Sequence, residues 1–364
     1  MASLPLSPSA ARGDTTAMVR WLLGVAALVF VIVVIGGITR LTESGLSITE
    51  WKPVTGAVPP LSEAAWQREF DAYQQIPQYI EVNGPAGMTL AQYKFIYFWE
   101  WIHRLLARLV GLAFALPLAM FWLRGSIPAG YKPRLLALLA LGALQGAVGW
   151  WMVTSGLSAD VKVSHVRLAT HMGVALFTLG ALVWTALDLA ALRTGKGSAR
   201  LTRLGVTVLA ILAAQVLFGA LVAGLRAGYV AGAGWFLLDS WPLMQGSLFP
   251  DGIEWAAGGL HALFNDPYLV HFIHRWWAFV AVAALVVMAR RLRAAGRRDV
   301  SVAIHTVFGT QILLGIATIW SGMDIWLAVA HQFTGALLVA TTVWGAHVLG
   351  SKDPIDVAGI ARNS

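Results

Sequence analysis

The stretch Phe98-Trp99-Glu100-Trp101-Ile102-His103-Arg104 lies near the start of a long apolar run. A second copy follows as His271-Phe272-Ile273-His274-Arg275-Trp276-Trp277. Each copy places a histidine inside what reads as a membrane-spanning helix, where a polar ring is costly without a partner. Each is followed by a further helix with its own intramembrane histidine, His171 in the first case and His331 in the second. Four histidines in two matched pairs point to two places that hold a metal cofactor.

The composition fits that setting. Of 364 residues, 58% are hydrophobic and 12% are charged, and the mean hydropathy is +0.69. Soluble domains carry about 25% charged residues, so the chain reads as a polytopic membrane protein. Its 17 tryptophans suit helix ends at a lipid interface. The net charge of +8 sits in short loops between apolar runs, a pattern that orients a membrane protein and excludes a nucleic-acid partner. There is no cysteine, which excludes disulfides, thiolate ligands, iron–sulfur clusters and thiol catalysis.

A spanning helix needs roughly 20 apolar residues. Eight stretches qualify, approximately 18–39, 95–122, 134–154, 166–190, 203–224, 269–289, 302–321 and 326–348. With the N-terminus inside, sixteen Lys and Arg fall in cytoplasmic segments against seven in outer ones. This positive-inside bias predicts that both termini are cytoplasmic. Residues 1–16 lack the apolar core of a signal peptide, and Arg12 alone makes a poor transit peptide. In the first outer loop, Trp66, Phe70 and Tyr73 stand at helical spacing behind a Ser62 cap, predicting a short amphipathic helix on the outer surface. The second outer loop, about 225–268, is rich in Gly and aromatics and is expected against the membrane face.

An internal repeat divides the eight helices into two halves. Gln145-x3-Gly149-x5-Ser155-Gly156 in the third helix matches Gln311-x3-Gly315-x5-Ser321-Gly322 in the seventh. His171 precedes Trp184 as His331 precedes Trp344, and Gly36 with Gly45 matches Gly219 with Gly228. The fold class expected is therefore all-α, two pseudo-symmetric four-helix bundles related by an axis along the membrane normal. The boundaries are a cytoplasmic tail over 1–17, an N-terminal bundle over 18–193, a linker over 194–202, a C-terminal bundle over 203–349 and a second tail over 350–364.

Neutral imidazole is a good ligand for heme iron, and facing helices of a bundle can clamp a porphyrin between two such rings. His103 lies about eight residues into its expected helix and the other three about five, which places all four roughly 7–12 Å below the outer face. Gly149 and Gly315 would let a flat macrocycle approach the backbone. The plainer reading is that each histidine only bonds a neighbouring helix, which four repeat-related positions make hard to sustain. His165, His261 and His347 read as solvated, and His305 has no counterpart in the other half. His271 occupies the position of Glu100, so a carboxylate shares a helix face with His103 in the N-terminal half only. Its plain partner is Arg104, four residues on.

The stretch from Gly36 to Ser47 (GGITRLTESGLS), followed by Glu50-Trp51-x-Pro53-Val54-x-Gly56-x2-Pro59-Pro60, resembles the first-loop signature of heme A synthases. Glu100-x2-His103-Arg104 and the second-half histidines resemble that family too, over nearly the whole chain. Many bacterial members carry a cysteine pair in an outer loop, and this chain is similar instead to the cysteine-free branch of mitochondria and related bacteria. The resemblance implies an oxidoreductase of heme biosynthesis that converts heme O to heme A for terminal oxidases. Two successive hydroxylations of a porphyrin methyl group (C8) give a gem-diol, which loses water to leave a formyl group. By motif, His274 and His331 would ligate a resident heme b in the C-terminal bundle. His103 and His171 would bracket the iron of the substrate heme in the N-terminal bundle, and Glu100 would assist at the methyl carbon. The implied setting is the lipid bilayer of a bacterial inner membrane, with the mitochondrial inner membrane second. Heme O synthase and a membrane electron acceptor are the partners to test, and a homo-oligomer is left open.

The rival is a diheme cytochrome b-like electron carrier, which four histidines alone would equally support. Glu100 and the first-loop signature discriminate against it. A transporter would need broken helices around a midplane site, whereas the polar residues here cluster near the outer face.

Overall fold

The computed structural model describes residues 8–158, 160–231 and 243–351. Ten α-helices are described: α1 Pro8–Leu41, α2 Glu63–Tyr73, α3 Leu90–Leu123, α4 Tyr131–Ser158, α5 His165–Leu192, α6 Arg203–Leu225, α7 Gly259–Asn265, α8 Pro267–Ala294, α9 Arg298–Trp320 and α10 Ile325–Gly350. Among the described residues there is no strand, only an isolated bridge between Met244 and Ser247. All of these helices except α2 and α7 are long and apolar enough to cross a membrane. They contain the eight expected runs, apart from residue 321 at the end of the seventh, and most extend beyond them at the polar ends.

Those extensions have local causes. Thr89 and Gln92 form a capping box, with the Gln92 side chain accepting from Thr89 N at 2.8 Å. It starts α3 at Leu90, five residues earlier than expected. Asp266 accepts from Leu269 N at 2.8 Å, and Pro267 takes the first helical position of α8. Asp324 caps α10 through the Trp326 and Leu327 amides, both at 3.0 Å. At the other extreme, α1 begins at Pro8, so the tail expected through residue 17 is helical over its second half. The first seven residues of that tail, residues 352–364 of the second tail and residues 232–242 of the second outer loop lie outside the described residues.

The main helix contacts correspond between the halves, and the second adds a contact of α8 with α10. In the first, α1 touches α3 and α5, and α4 touches α3 and α5; in the second, α6 touches α8 and α10, and α9 touches α8 and α10. Contacts of α5 with α6, α1 with α10 and α5 with α10 join the halves. This is consistent with two related four-helix bundles. Leu22, Leu135, Leu179 and Leu189 fill the first core, and Leu285, Met288, Leu292 and Ile304 fill the second, all almost fully buried. Leu123, Phe177 and Leu313 point outward, as an apolar solvent permits.

The outer helix α2 forms where expected, with Ser62 accepting from Ala65 N. Its apolar face packs on the protein itself. Phe70 and Tyr73 are buried against Tyr93, and Trp66 packs edge-on to Tyr97 at 5.0 Å, so α2 docks on the early turns of α3. Burial pushes the Tyr73 phenol up to about 12. It therefore keeps the proton that it donates to Gln78 Oε1, and it accepts from Asn83 Nδ2.

Candidate functional site

Each of the four intramembrane histidines is laid over a glycine of the neighbouring helix. A Cβ added at Gly36 would stand 2.9 Å from His103 Cε1, at Gly149 3.0 Å from His171, at Gly219 2.9 Å from His274 and at Gly315 2.9 Å from His331. A side chain there would force the ring to shift, because interiors are packed to contact already. Gly149 and Gly315 are therefore seats for imidazoles, where the sequence suggested backbone approach by a macrocycle. Gly36 and Gly219 complete the set. The Thr39 hydroxyl lies 3.1 Å from the Trp99 carbonyl and helps hold α1 to α3 at the first of these contacts.

Within each half the two rings lie close enough to interact electrostatically, His103 with His171 and His274 with His331. All four are half-buried. Gln145 Nε2 lies 3.2 Å from both ring nitrogens of His171, and Gln215 Nε2 lies 3.2 Å from His274 Nδ1. His331 Nδ1 bonds the Gln311 carbonyl at 3.1 Å, with Gln311 Nε2 3.3 Å from its other nitrogen. Gln145 and Gln311 belong to the repeat read in the sequence. Gln215 was missed, although Gln215-x3-Gly219 carries the same spacing.

Glu100 is buried, and its bonds run to the first outer loop. Oε2 accepts from Ser47 Oγ at 2.8 Å and Ile48 N at 2.7 Å, and Oε1 accepts from Arg104 Nη2 at 2.6 Å and Nε at 3.1 Å. Arg104 also donates to the Ile48 and Glu50 carbonyls, and Arg108 to those of Lys52 and Pro53. The plain partner of Glu100 is thus present, and the Ser47–Pro53 segment is stapled to α3 through it. At the equivalent place in the other half, Arg275 Nε donates to His271 Nε2 at 3.2 Å, a bond without a carboxylate.

The remaining histidines have partners other than a paired imidazole. His165 bonds Asn265 at 3.1 Å and seats against Gly224, joining α5 to α6 and α7. His261 is exposed and neighbours Asn265, and His305 bonds the Ser301 carbonyl. His347 is a correction: it is buried, not solvated, and its Nε2 lies 2.9 Å from Asp188, which also pairs with Arg134. A buried carboxylate at the end of α5 drew it in.

The donor set fits a heme. Among the described residues no three His, Cys, Asp or Glu side chains come together, as a bare metal ion would require. Two imidazoles per site suit a macrocycle that brings its own four nitrogens. Orphaned buried atoms point the same way: His103 Nδ1 and the Oε1 atoms of Gln145, Gln215 and Gln311 have no hydrogen-bond partner. A ring that gives Nε2 to iron keeps its proton on Nδ1, and a nearby carbonyl oxygen is the usual acceptor. Amide orientation is assigned from such networks, so Gln145 and Gln215 can turn their oxygens to that proton, while His331 Nδ1 already meets the Gln311 main-chain carbonyl.

Fold and site together define an all-helical membrane protein with eight candidate spans and two pairs of glycine-seated imidazoles. The chain belongs to the cytochrome oxidase assembly protein family COX15-CtaA, whose model matches residues 19–343. It is 66% identical over 346 residues to the heme A synthase of Novosphingobium aromaticivorans, covering 95% of this chain and 98% of that protein. It is 55% identical to the heme A synthase of Erythrobacter litoralis, covering 94% of this chain and all of that protein. The heme A synthase of Sphingopyxis alaskensis is 53% identical, with 97% and 98% covered.

Proposed function

We propose that this protein is a membrane oxidoreductase of the bacterial inner membrane that converts heme O to heme A, oxidising one porphyrin methyl group to a formyl group. In this reading His103 and His171 bracket the substrate heme in the N-terminal bundle, residues 18–193. His274 and His331 would hold a resident heme b in the C-terminal bundle, residues 203–349. The names of the bacterial relatives support the reaction. The observation that carries the division of labour is a difference between otherwise matched halves. All four imidazoles sit on glycines, yet the position one turn before the first is Glu100 in one half and His271 in the other. An electron carrier would need no such difference.

A heme held by two imidazoles supplies one-electron transfer when bound. The protein's own share is positioning. Gly36 and Gly149 let α1 and α4 approach the rings of His103 and His171, and this fixes where the imidazoles stand. Ser47, Ile48 and Arg104 hold the Glu100 carboxylate in one orientation. A carboxylate fixed there can stabilise positive charge developing at a methyl carbon, or take up the proton that carbon loses.

The test is heme analysis of cells in which this protein is the sole candidate source of heme A. Extraction and chromatography separate o- from a-type heme. The a-type should appear only when the protein is made. Folded protein in the membrane with o-type heme left unconverted would overturn the reading.

A further inference from the structure

Three of the four imidazoles share a device that the fourth lacks. Gln145, Gln215 and Gln311 each stand four residues, about one helical turn, before the glycine under His171, His274 and His331. Each therefore lies on the face that carries the glycine; the Gln145 and Gln215 side chains reach Nδ1 at 3.2 Å, and Gln311 meets Nδ1 of His331 through its main-chain carbonyl at 3.1 Å. The residue four before Gly36 is Ile32. Its aliphatic side chain offers neither donor nor acceptor, and His103 Nδ1 is buried without a partner. The resulting distribution is uneven. Both rings of the C-terminal pair are held, but only one ring of the N-terminal pair.

We infer that Ile32 sets the exchange rate of the N-terminal site: by withholding a hydrogen-bond partner from His103, it leaves one weak axial ligand where substrate must enter and product must leave. This rests on the reading above that these imidazoles ligate heme iron. A ligand imidazole whose second N–H meets an acceptor is more basic and better oriented, and losing such a partner costs about 10–100-fold in metal affinity. Two held rings suit a cofactor that stays through every turnover. One held and one unheld ring suit a heme that must depart. Ile32 and the three glutamines are positioning residues, acting through the imidazoles.

The experiment uses purified full-length protein carrying both b- and o-type heme, mixed with excess apomyoglobin as a heme trap. Chromatography of the heme retained over time gives a separate loss rate for each type. Ile32→Gln should slow o-type loss by about 10–100-fold, with b-type loss unchanged, and should shift the low-spin electron paramagnetic resonance of the o-type heme. The converse change Gln215→Ile should speed b-type loss by a similar factor, and it stands as a second test if Ile32→Gln does not fold. His103→Ala separates the two levels of the argument. If it speeds o-type loss while Ile32→Gln and Gln215→Ile change nothing, the role of Ile32 is overturned and ligation stands. If His103→Ala leaves o-type loss unaltered, ligation by His103 fails and takes this inference with it.

Discussion

Glu43 and Arg226 form an ion pair across the two halves of the molecule, each from the same place in its own repeat. Glu43 follows Gly36 by seven residues, as Arg226 follows Gly219. Both adopt left-handed backbone, with φ of 56° and 55°. The hydrogen bonds that close α1 and α6 also correspond: Ser44 N reaches Thr39 O, and Ala227 N reaches Val222 O, each at 2.9 Å. One repeat supplies the anion and the other the cation, so the contact favours association of unlike halves. Arg40 adds a second tie, donating to the Ala223 and Gly224 carbonyls at the end of α6.

Exchanging the two charges tests that pairing. Glu43→Arg alone should lower the thermal midpoint in detergent, and Glu43→Arg with Arg226→Glu should restore most of it. Both side chains are partly exposed, 30% and 39%, so a coupling of about 0.2–1 kcal/mol is expected from the double-mutant cycle. Zero coupling would make the contact incidental.

The glycine seats give a steric test of the heme reading. Gly315→Ala puts a methyl group 2.9 Å from His331 Cε1, so the ring must move. The variant should fold but lose most of its b-type heme. Gly309→Ala on the same helix meets nothing within 4 Å and should bind heme normally, with stability raised by about 0.5–1 kcal/mol. Equal heme content in the two variants would sink the seat.

Glu100→Gln separates chemistry from loop anchoring. The amide keeps the shape and one acceptor for Ser47 and Ile48 but loses the ionic bond to Arg104, a cost of about 1–3 kcal/mol. A catalytic Glu100 predicts a variant that binds both hemes, yet forms heme A about 10²-fold or more slowly per folded protein and stalls at the singly hydroxylated stage. Full turnover per loaded enzyme, with only the thermal midpoint reduced, would assign Glu100 to anchoring alone.

Much of this was readable before any coordinates. Apolar length marked the eight spans because lipid leaves few other solutions for the backbone. The repeat marked His103, His171, His274 and His331 because a ring in an apolar run stands out. Thr89-x-x-Gln92 was also readable as a capping box and would have moved α3 to its observed start. What escaped depended on which helix faces which. Gly36 and Gly219 were visible as matching letters, but their role beneath His103 and His274 exists only once α1 meets α3 and α6 meets α8. Asp188 and His347 are 159 residues apart and meet only where the halves join. The contacts of Glu100 with Ser47 and Ile48 needed the loop to fold back on α3.

The most direct measurement is the heme content of His103→Ala, His171→Ala, His274→Ala and His331→Ala, purified in parallel and analysed by pyridine spectra and chromatography. His274→Ala and His331→Ala should lose the low-spin b-type spectrum. His103→Ala and His171→Ala should keep it, while cells relying on them accumulate o-type heme and form no heme A. An unchanged b-type spectrum in both C-terminal variants, or normal heme A with either N-terminal variant, would contradict the account.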